Sequence, residues 1–103
     1  MEFLDEGVVA EFKSQPADIR ARLNRIIALI EQNGLANVHG PYVKHIRGPL
    51  WEMRASGKDG IARALYVAAH GERVVIVRVF TKKTQATPGR EIDLALKRAK
   101  EVR

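Results

Sequence analysis

The hydrophobic pattern between residues 50 and 80 predicts three consecutive antiparallel strands. Apolar and polar side chains alternate along Leu50–Ser56, which is the period of two of a half-buried strand. A Gly-Lys-Asp-Gly turn leads to a second strand, Ile61–Ala69, and His70-Gly71 connects that strand to a third, Glu72–Phe80. Because the third strand is an almost continuous run of Val and Ile, we expect it to be buried on both faces and to form the centre of the sheet.

Helical spacing precedes these strands. A short helix ending near Lys13 follows a candidate edge strand at residues 2–4. A longer second helix is predicted from apolar residues at i, i+4, i+7, i+8 and i+11, with Ser14 as its N-cap and Gly34 as its C-cap. The residues of this apolar stripe are Ile19, Leu23, Ile26, Ile27 and Ile30.

A third helix is predicted at the C-terminal end of the chain. Thr87 is its expected N-cap and Pro88 its first residue, and a further short strand is predicted at Val43–Ile46. These elements indicate an α+β fold, in which an N-terminal helix hairpin packs on a small antiparallel sheet and a C-terminal helix follows. A chain of 103 residues allows a single domain, residues 1–103. The apolar stripe of the last helix consists of Ile92, Ala95, Leu96, Ala99 and Val102.

Composition excludes several classes of protein. The absence of cysteine rules out disulfides, thiol catalysis and Cys-based zinc sites, and the three histidines lack metal-site spacing, so no metal or cofactor is expected. The N-terminal segment is too acidic for a signal peptide and no apolar run would span a bilayer. We therefore expect a cytoplasmic protein that does not bind a membrane.

The net charge of +6 is unevenly distributed along the chain. Residues 1–43 contain 4 Lys/Arg and 6 Asp/Glu, whereas residues 44–103 contain 14 and 6. A basic second half favours a polyanionic partner such as nucleic acid. A solubilising surface or a docking face for an acidic protein would have the same composition.

Three arginines are expected to form a row across the sheet. In the simplest hairpin registers, Arg54 lies opposite Arg63, and Arg63 lies opposite Arg78. Facing like charges destabilise a sheet, so the row favours an anionic ligand on that face. Two alternatives remain open: each arginine pairs with a local acid such as Glu52 or Asp59, or a one-residue slip staggers the row.

A cationic set of this kind suits cleavage of RNA by attack of the 2′-OH on its own phosphate. The substrate supplies the nucleophile, so the protein needs only to orient the chain, stabilise charge on the phosphoryl oxygens and manage protons. Electrostatics alone does not separate such a nuclease from a passive RNA binder. The basic segment Lys44-His45-Ile46-Arg47 extends the candidate RNA-binding surface, and His45 is its candidate for proton transfer.

Several motifs together resemble one family of proteins. The segments that carry the resemblance are Tyr42-Val43-Lys44, Leu50–Arg54, Gly60–Arg63, Phe80–Gln85 with Thr87-Pro88, and Arg90–Ile92. They resemble the RelE/HigB-like toxins of type II toxin–antitoxin systems, in particular the phage-derived branch of the RelE/ParE superfamily. The order of the predicted elements is also similar to that of these toxins.

The resemblance implies a metal-independent, ribosome-dependent mRNA endonuclease that inhibits translation. Its implied partners are the ribosome, mRNA and a cognate antitoxin, which we expect to be a helix-turn-helix protein. It assigns catalytic roles to Arg54, Arg63, Lys82 and Lys83. Independently of the resemblance, the arginine row and the basic segment give Arg78, Lys44, His45 and Arg47 as the residues expected to bind RNA.

The chain also departs from the RelE pattern. RelE toxins have lysines where this sequence has Leu50 and Glu52, and a base-stacking tyrosine near the C-terminus where residues 87–89 contain no aromatic side chain. Tyr42 and Trp51 are the candidate replacements for that tyrosine, and Trp51 is expected in the core. The alternatives to the nuclease are a non-enzymatic module that binds nucleic acid or protein and a ParE-like toxin that acts on DNA gyrase.

Overall fold

A five-stranded sheet lies between a helix hairpin and a third helix. The computed structural model describes residues 1–34, 42–69 and 73–102. In chain order the elements are β1 (Glu2–Phe3), α1 (Glu6–Lys13), α2 (Ala17–Asn33), β2 (Val43–Arg47), β3 (Leu50–Gly57), β4 (Gly60–Ala69), β5 (Arg73–Lys82) and α3 (Gly89–Ala99). Helices α1 and α2 pack on one face of the sheet and α3 on the other. The predicted α+β fold is confirmed.

The strand order is β1-β5-β4-β3-β2, so β4 is the central strand and the prediction that the third strand would be central is wrong. The reason is that β3 and β2 both add beyond β4, whereas only the two-residue β1 adds beyond β5. Strand β5 is nevertheless buried on both faces, as predicted, because helices cover both. The sheet is mixed, since β1 pairs with β5 in parallel while the other strands pair antiparallel.

The predicted register is confirmed in one hairpin and wrong in the other. Arg54 lies opposite Arg63 across β3 and β4. Between β4 and β5, Ala69 pairs with Arg73, and the pairing shifts so that Leu65 faces Arg78 and Arg63 faces Phe80. The shift leaves Val77 as the extra residue of a β-bulge. The row of three arginines therefore does not form, and the predicted His70-Gly71 turn and Glu72 lie outside the described residues.

The helix hairpin forms around the predicted apolar stripe of α2, every residue of which is buried. Asp5 is the N-cap of α1, and its carboxylate accepts a hydrogen bond of 3.0 Å from the Val8 amide. Ser14 does not cap α2 as predicted, because Pro16 occupies the N-cap position and the Ser14 hydroxyl donates to the carbonyl of Glu11 in α1. Gly34 ends α2 at φ 81°, in the left-handed region that glycine adopts at little cost.

Charged side chains complete the hydrogen bonding of β5 beyond the short β1. The Val79 amide donates to Glu11 of α1 at 3.0 Å, and Arg98 of α3 donates to the Val77 carbonyl at 2.9 Å. Arg98 also forms a salt bridge of 2.9 Å with Glu11. The exposed part of this strand edge is therefore covered by α1 and α3. Within the described ranges, no helix is both long enough and apolar enough to cross a membrane.

Candidate functional site

A buried carboxylate, Glu52, lies between the two facing arginines. Glu52 and Arg54 are two residues apart on β3 and so project from the same face. The Glu52 carboxylate is 3.1 Å from Arg54 Nε and 3.6 Å from Arg63 Nε, and the side chains of Glu52 and Arg63 are both 0% exposed. Of the interpretations left open by the sequence, pairing with a local acid is therefore the one observed for these two arginines.

The same two arginines hold the backbone of the connection between β5 and α3, residues 83–88, which we call the anchored loop. Arg63 Nη2 donates to the carbonyls of Thr84 and Gln85, and Arg54 Nη2 donates to the Gln85 carbonyl. At the other end of the loop, the Thr87 hydroxyl donates to Glu52. The loop is thus fixed by side chains from two strands of the sheet.

The contact to Glu52 also explains why the predicted start of α3 was wrong. Thr87 was expected to cap the helix, but its hydroxyl is engaged with Glu52. The helix begins at Gly89, and Pro88 occupies the N-cap position without a side-chain hydrogen bond. Thr87 therefore ties the loop to the sheet instead of capping the helix.

Arg63 is a structural cation in this arrangement. Burial lowers its pKa, the positive charge of Arg54 lowers it further, and the negative charge of Glu52 acts in the opposite direction. An arginine still stays protonated at neutral pH because its ordinary pKa is so high. The Arg63 guanidinium lies 5.9 Å from the centroid of the Phe80 ring, which also contacts the Arg78 guanidinium at 5.4 Å.

Three of the four predicted catalytic residues reach the surface beside the anchored loop. The Arg54 side chain is 22% exposed, Lys82 is half-buried at the end of β5, and Lys83 is exposed at the start of the loop. Among residues 1–34, 42–69 and 73–102, neither lysine has a salt bridge or side-chain hydrogen bond. Arg63 lies beneath the loop and, in this conformation, has no surface for an RNA phosphate.

Arg78 does not join this group. It forms a bidentate contact with Glu91 of α3, with hydrogen bonds of 2.8 and 3.2 Å, and a salt bridge of 2.9 Å with Glu11. The hydrogen bonds that Arg78 donates to Glu91 and the charges of both carboxylates raise the pKa of Arg78 against the effect of its partial burial. Its observed contacts connect β5 to both α1 and α3, which is a structural arrangement.

The remaining predicted RNA-binding residues lie on β2, at the edge of the sheet. Lys44 is exposed and faces Glu52 across the strand pair, whereas Arg47 is 3.8 Å from Asp93 of α3. His45 Nε2 is 2.8 Å from the Gly48 carbonyl, and its ring packs against Trp51 with 5.0 Å between centroids. This histidine is thus already engaged in the β2–β3 turn. Trp51 packs against the core, as expected.

The position of Glu52 at the centre of the cluster is not predicted by the sequence. The sequence presents Glu52 only as one possible partner of the arginines and as a departure from the RelE lysine pattern. The useful signal was its position two residues before Arg54, on the same face of a predicted strand. The loop carbonyls that Arg54 and Arg63 bind leave no comparable signal, because backbone acceptors are common to all residues.

Comparisons with known proteins place the chain within a family. No curated protein matches it. A chain from the crystal structure of the RelB–RelE antitoxin–toxin complex of Methanococcus jannaschii has a similar fold, with a TM-score of 0.57 and 20% sequence identity over 79% of this chain and 90% of that chain. The model of the family described as "Phage derived protein Gp49-like (DUF891)" matches residues 10–100.

This match spans most of the helix hairpin, strands β2 to β5, the anchored loop and α3. It therefore includes every element that contributes to the cluster around Glu52. The chain belongs to the phage-derived Gp49-like family.

Proposed function

We propose that this protein is the toxin of a type II toxin–antitoxin pair and acts as a ribosome-dependent mRNA endonuclease. Its family and its RelE-like fold support a toxin of this class. The observation that carries the catalytic proposal is the grouping of Arg54, Lys82 and Lys83 around a loop that buried side chains hold in place.

In the proposed reaction, the 2′-OH of one nucleotide loses its proton and attacks the adjacent phosphate. The bond from phosphorus to the 5′-oxygen of the next nucleotide breaks, which leaves a 2′,3′-cyclic phosphate and a 5′-oxygen that takes up a proton. Arg54 donates hydrogen bonds to the phosphoryl oxygens, where negative charge develops in the transition state. Lys82 and Lys83 contribute positive charge beside it, and an amino group at this position can also exchange a proton with the reacting oxygens. No group of the protein has to act as nucleophile.

We assign Arg63 a positioning role. Its side chain is fully buried and bonded to the loop carbonyls, so it acts on RNA through the anchored loop. Glu52 offsets the charge of the two arginines, which allows both to lie next to each other. In this proposal the sheet supplies a rigid base and the loop supplies the contact surface.

The decisive experiment is cleavage of mRNA on programmed ribosomes in a cell-free translation system, mapped by primer extension. The wild-type protein is expected to cut the message and, when expressed alone, to arrest growth. The double variant Lys82→Ala with Lys83→Ala should lose about 100-fold or more of the cleavage rate, the lower range for loss of acid–base catalysis. The matched control removes two exposed lysines at the far end of α3, Lys97→Ala with Lys100→Ala, and should cleave like wild type.

A non-enzymatic RNA-binding module is the second candidate, and the burial of Arg63 against Glu52 favours it. Such a module would bind RNA with a steep dependence on salt concentration. It would also leave the message intact on programmed ribosomes and would not arrest growth. That result would reject the nuclease.

A further inference from the structure

A cleft between α2 and β3 has, apart from Arg54, no part in the proposed reaction. Its volume is about 490 Å³. One wall is the face of α2 that carries positions 22, 25, 26 and 29, and the other wall is residues 54–56 of β3, with Tyr42 at the end. Positions 25, 26 and 29 follow position 22 by three, four and seven residues, so all four lie on one face of α2. This face lines the cleft over a length of about 10 Å.

The floor of the cleft is apolar and open to solvent. We use the word floor for the apolar part of the lining, which consists of Ile26, Leu29, Tyr42 and Ala55. Leu29 and Tyr42 are 38% and 52% exposed, and they are the large hydrophobic side chains that the described part of the chain leaves exposed. That both lie in one cleft indicates a binding surface, since exposed apolar side chains on a monomer are normally scattered.

The charged residues lining the cleft are all arginines. Arg22 donates to the Ser56 carbonyl, and Arg54 has the contacts with Glu52 and the loop described above. Arg25 is exposed and forms no salt bridge or side-chain hydrogen bond within the described ranges. An occupant that complements this cleft therefore carries apolar side chains for the floor and carboxylates for the rim.

We propose that the cleft binds an acidic amphipathic segment of the cognate antitoxin. This inference rests on the proposed function and adds where, and by what chemistry, the antitoxin binds. It is consistent with the fold neighbour having been solved as a toxin–antitoxin complex. A helix-sized apolar groove with a charged rim is a common way of recognising an amphipathic segment.

The chemistry of the floor favours a peptide over RNA. A nucleobase has hydrogen-bonding edges that lose their water when it is buried, and unpaired buried groups cost free energy. Aliphatic side chains cannot replace those bonds, and the Ser56 carbonyl is already occupied by Arg22. Leucine or isoleucine side chains from a partner would lose no hydrogen bonds on burial, because they make none with water.

Arg54 connects this cleft to the proposed RNA site, because it lines the cleft and also holds the anchored loop. A carboxylate of the antitoxin that binds Arg54 would remove that guanidinium from RNA. Antitoxin and RNA should then weaken each other's binding by the same factor.

The test needs the antitoxin, which we define as the product of a neighbouring gene that restores growth when expressed together with this protein. The dissociation constant of the antitoxin is measured by calorimetry with the cleavage-deficient variant Lys82→Ala with Lys83→Ala, which is the parent of the variants below. Arg25→Glu and Leu29→Glu should each weaken binding by about tenfold or more, the effect of losing one central contact. The matched controls, Ala28→Glu on an exposed position of α2 and Lys97→Glu on α3, should bind like the parent.

In cells, Arg25→Glu and Leu29→Glu in the otherwise wild-type chain should still arrest growth and should no longer be rescued by the antitoxin. Unchanged antitoxin affinity in both variants would overturn the proposal while leaving the toxin function intact. Weaker binding of a cleavage-resistant 2′-deoxy-substituted oligoribonucleotide, with antitoxin binding unchanged, would assign the cleft to nucleic acid and also overturn it. Growth arrest that no neighbouring gene relieves would also overturn the proposal, because no antitoxin would then exist to bind the cleft. A wild-type chain that does not arrest growth would reject the proposed function itself.

Discussion

Replacing Glu52 by glutamine tests whether the buried carboxylate is what makes Arg63 tolerable in the core. The substitution keeps the shape of the side chain and an acceptor for the Thr87 hydroxyl, and it removes the negative charge. Arg63 is then a fully buried cation, and the charge of Arg54 acts against its protonated form with no Glu52 carboxylate to oppose it. Removing one partner of a buried ion pair costs about 3–5 kcal/mol, because the remaining charge is uncompensated.

A loss of this size is a large part of the total stability, which for a small domain is about 5–15 kcal/mol. Urea denaturation with linear extrapolation measures it directly. The melting temperature should fall by at least about 12 °C, since 1 kcal/mol corresponds to about 4–8 °C in a domain of this size. Glu101→Gln, at an exposed carboxylate on the C-terminal segment, is the matched control and should leave the free energy of unfolding unchanged within about 0.5 kcal/mol.

A second substitution isolates the charge. Arg63→Met combined with Glu52→Gln removes the buried cation, so the double variant should be more stable than Glu52→Gln alone even though the loop loses its hydrogen bonds from Arg63. Two results would refute the reasoning: a loss below about 1 kcal/mol for Glu52→Gln, or a double variant whose loss equals the sum of the two single losses, as for independent sites.

Three further predictions concern the fold. Hydrogen bonds from Arg78 hold the pKa of Glu91 below its ordinary value of 4.5. The stabilisation by this ion pair is therefore present above that pH and is lost as the pH falls through the lower pKa of the folded state. When the free energy of unfolding is measured at decreasing pH, it should fall less in Glu91→Gln than in wild type. Gly60→Ala should lower the free energy of unfolding by about 1 kcal/mol or more, because the backbone there has φ 144° and a Cβ would meet a carbonyl oxygen of β5 at 3.1 Å. At Gly48 a Cβ meets nothing within 4 Å, so Gly48→Ala should lower the free energy of unfolding by less in the same denaturation assay. Leu23→Ala, at a fully buried position in α2, should cost about 2–5 kcal/mol by leaving a cavity, and a loss under 1 kcal/mol would mean that the helix hairpin packs more loosely than described.

The elements of this fold were predictable because their local patterns are strong. The apolar stripe of α2 and the alternation of β3 each reflect a face that must be buried, and both elements were placed within a few residues. The Arg54–Arg63 pair followed from a four-residue turn, which determines register locally.

The features that were missed depend on contacts that are distant in sequence. The β4–β5 pairing starts one residue away from the expected register, at Ala69 with Arg73, and the β-bulge at Val77 adds a second residue, so that Arg63 faces Phe80. Neither shift has a local signature among consecutive valines and isoleucines. Thr87 has the sequence context of an N-cap, and only the folded sheet brings Glu52 close enough to take its hydroxyl. The candidate site could therefore be predicted as a basic region, while the neutralising carboxylate at its centre could not be assigned.

Both edges of the sheet resist pairing with a second copy of the chain. A sheet edge with free amides and carbonyls is a template for pairing with another chain. On the β5 side, Glu11 and Arg98 already occupy Val79 N and Val77 O. On the β2 side, pairing would bring Lys44 and Arg47 of a second copy close to the same residues of the first. Repulsion between these like charges opposes that pairing. The cations of β2 thus protect the folded chain from aggregation through its edge, whether or not RNA binds there.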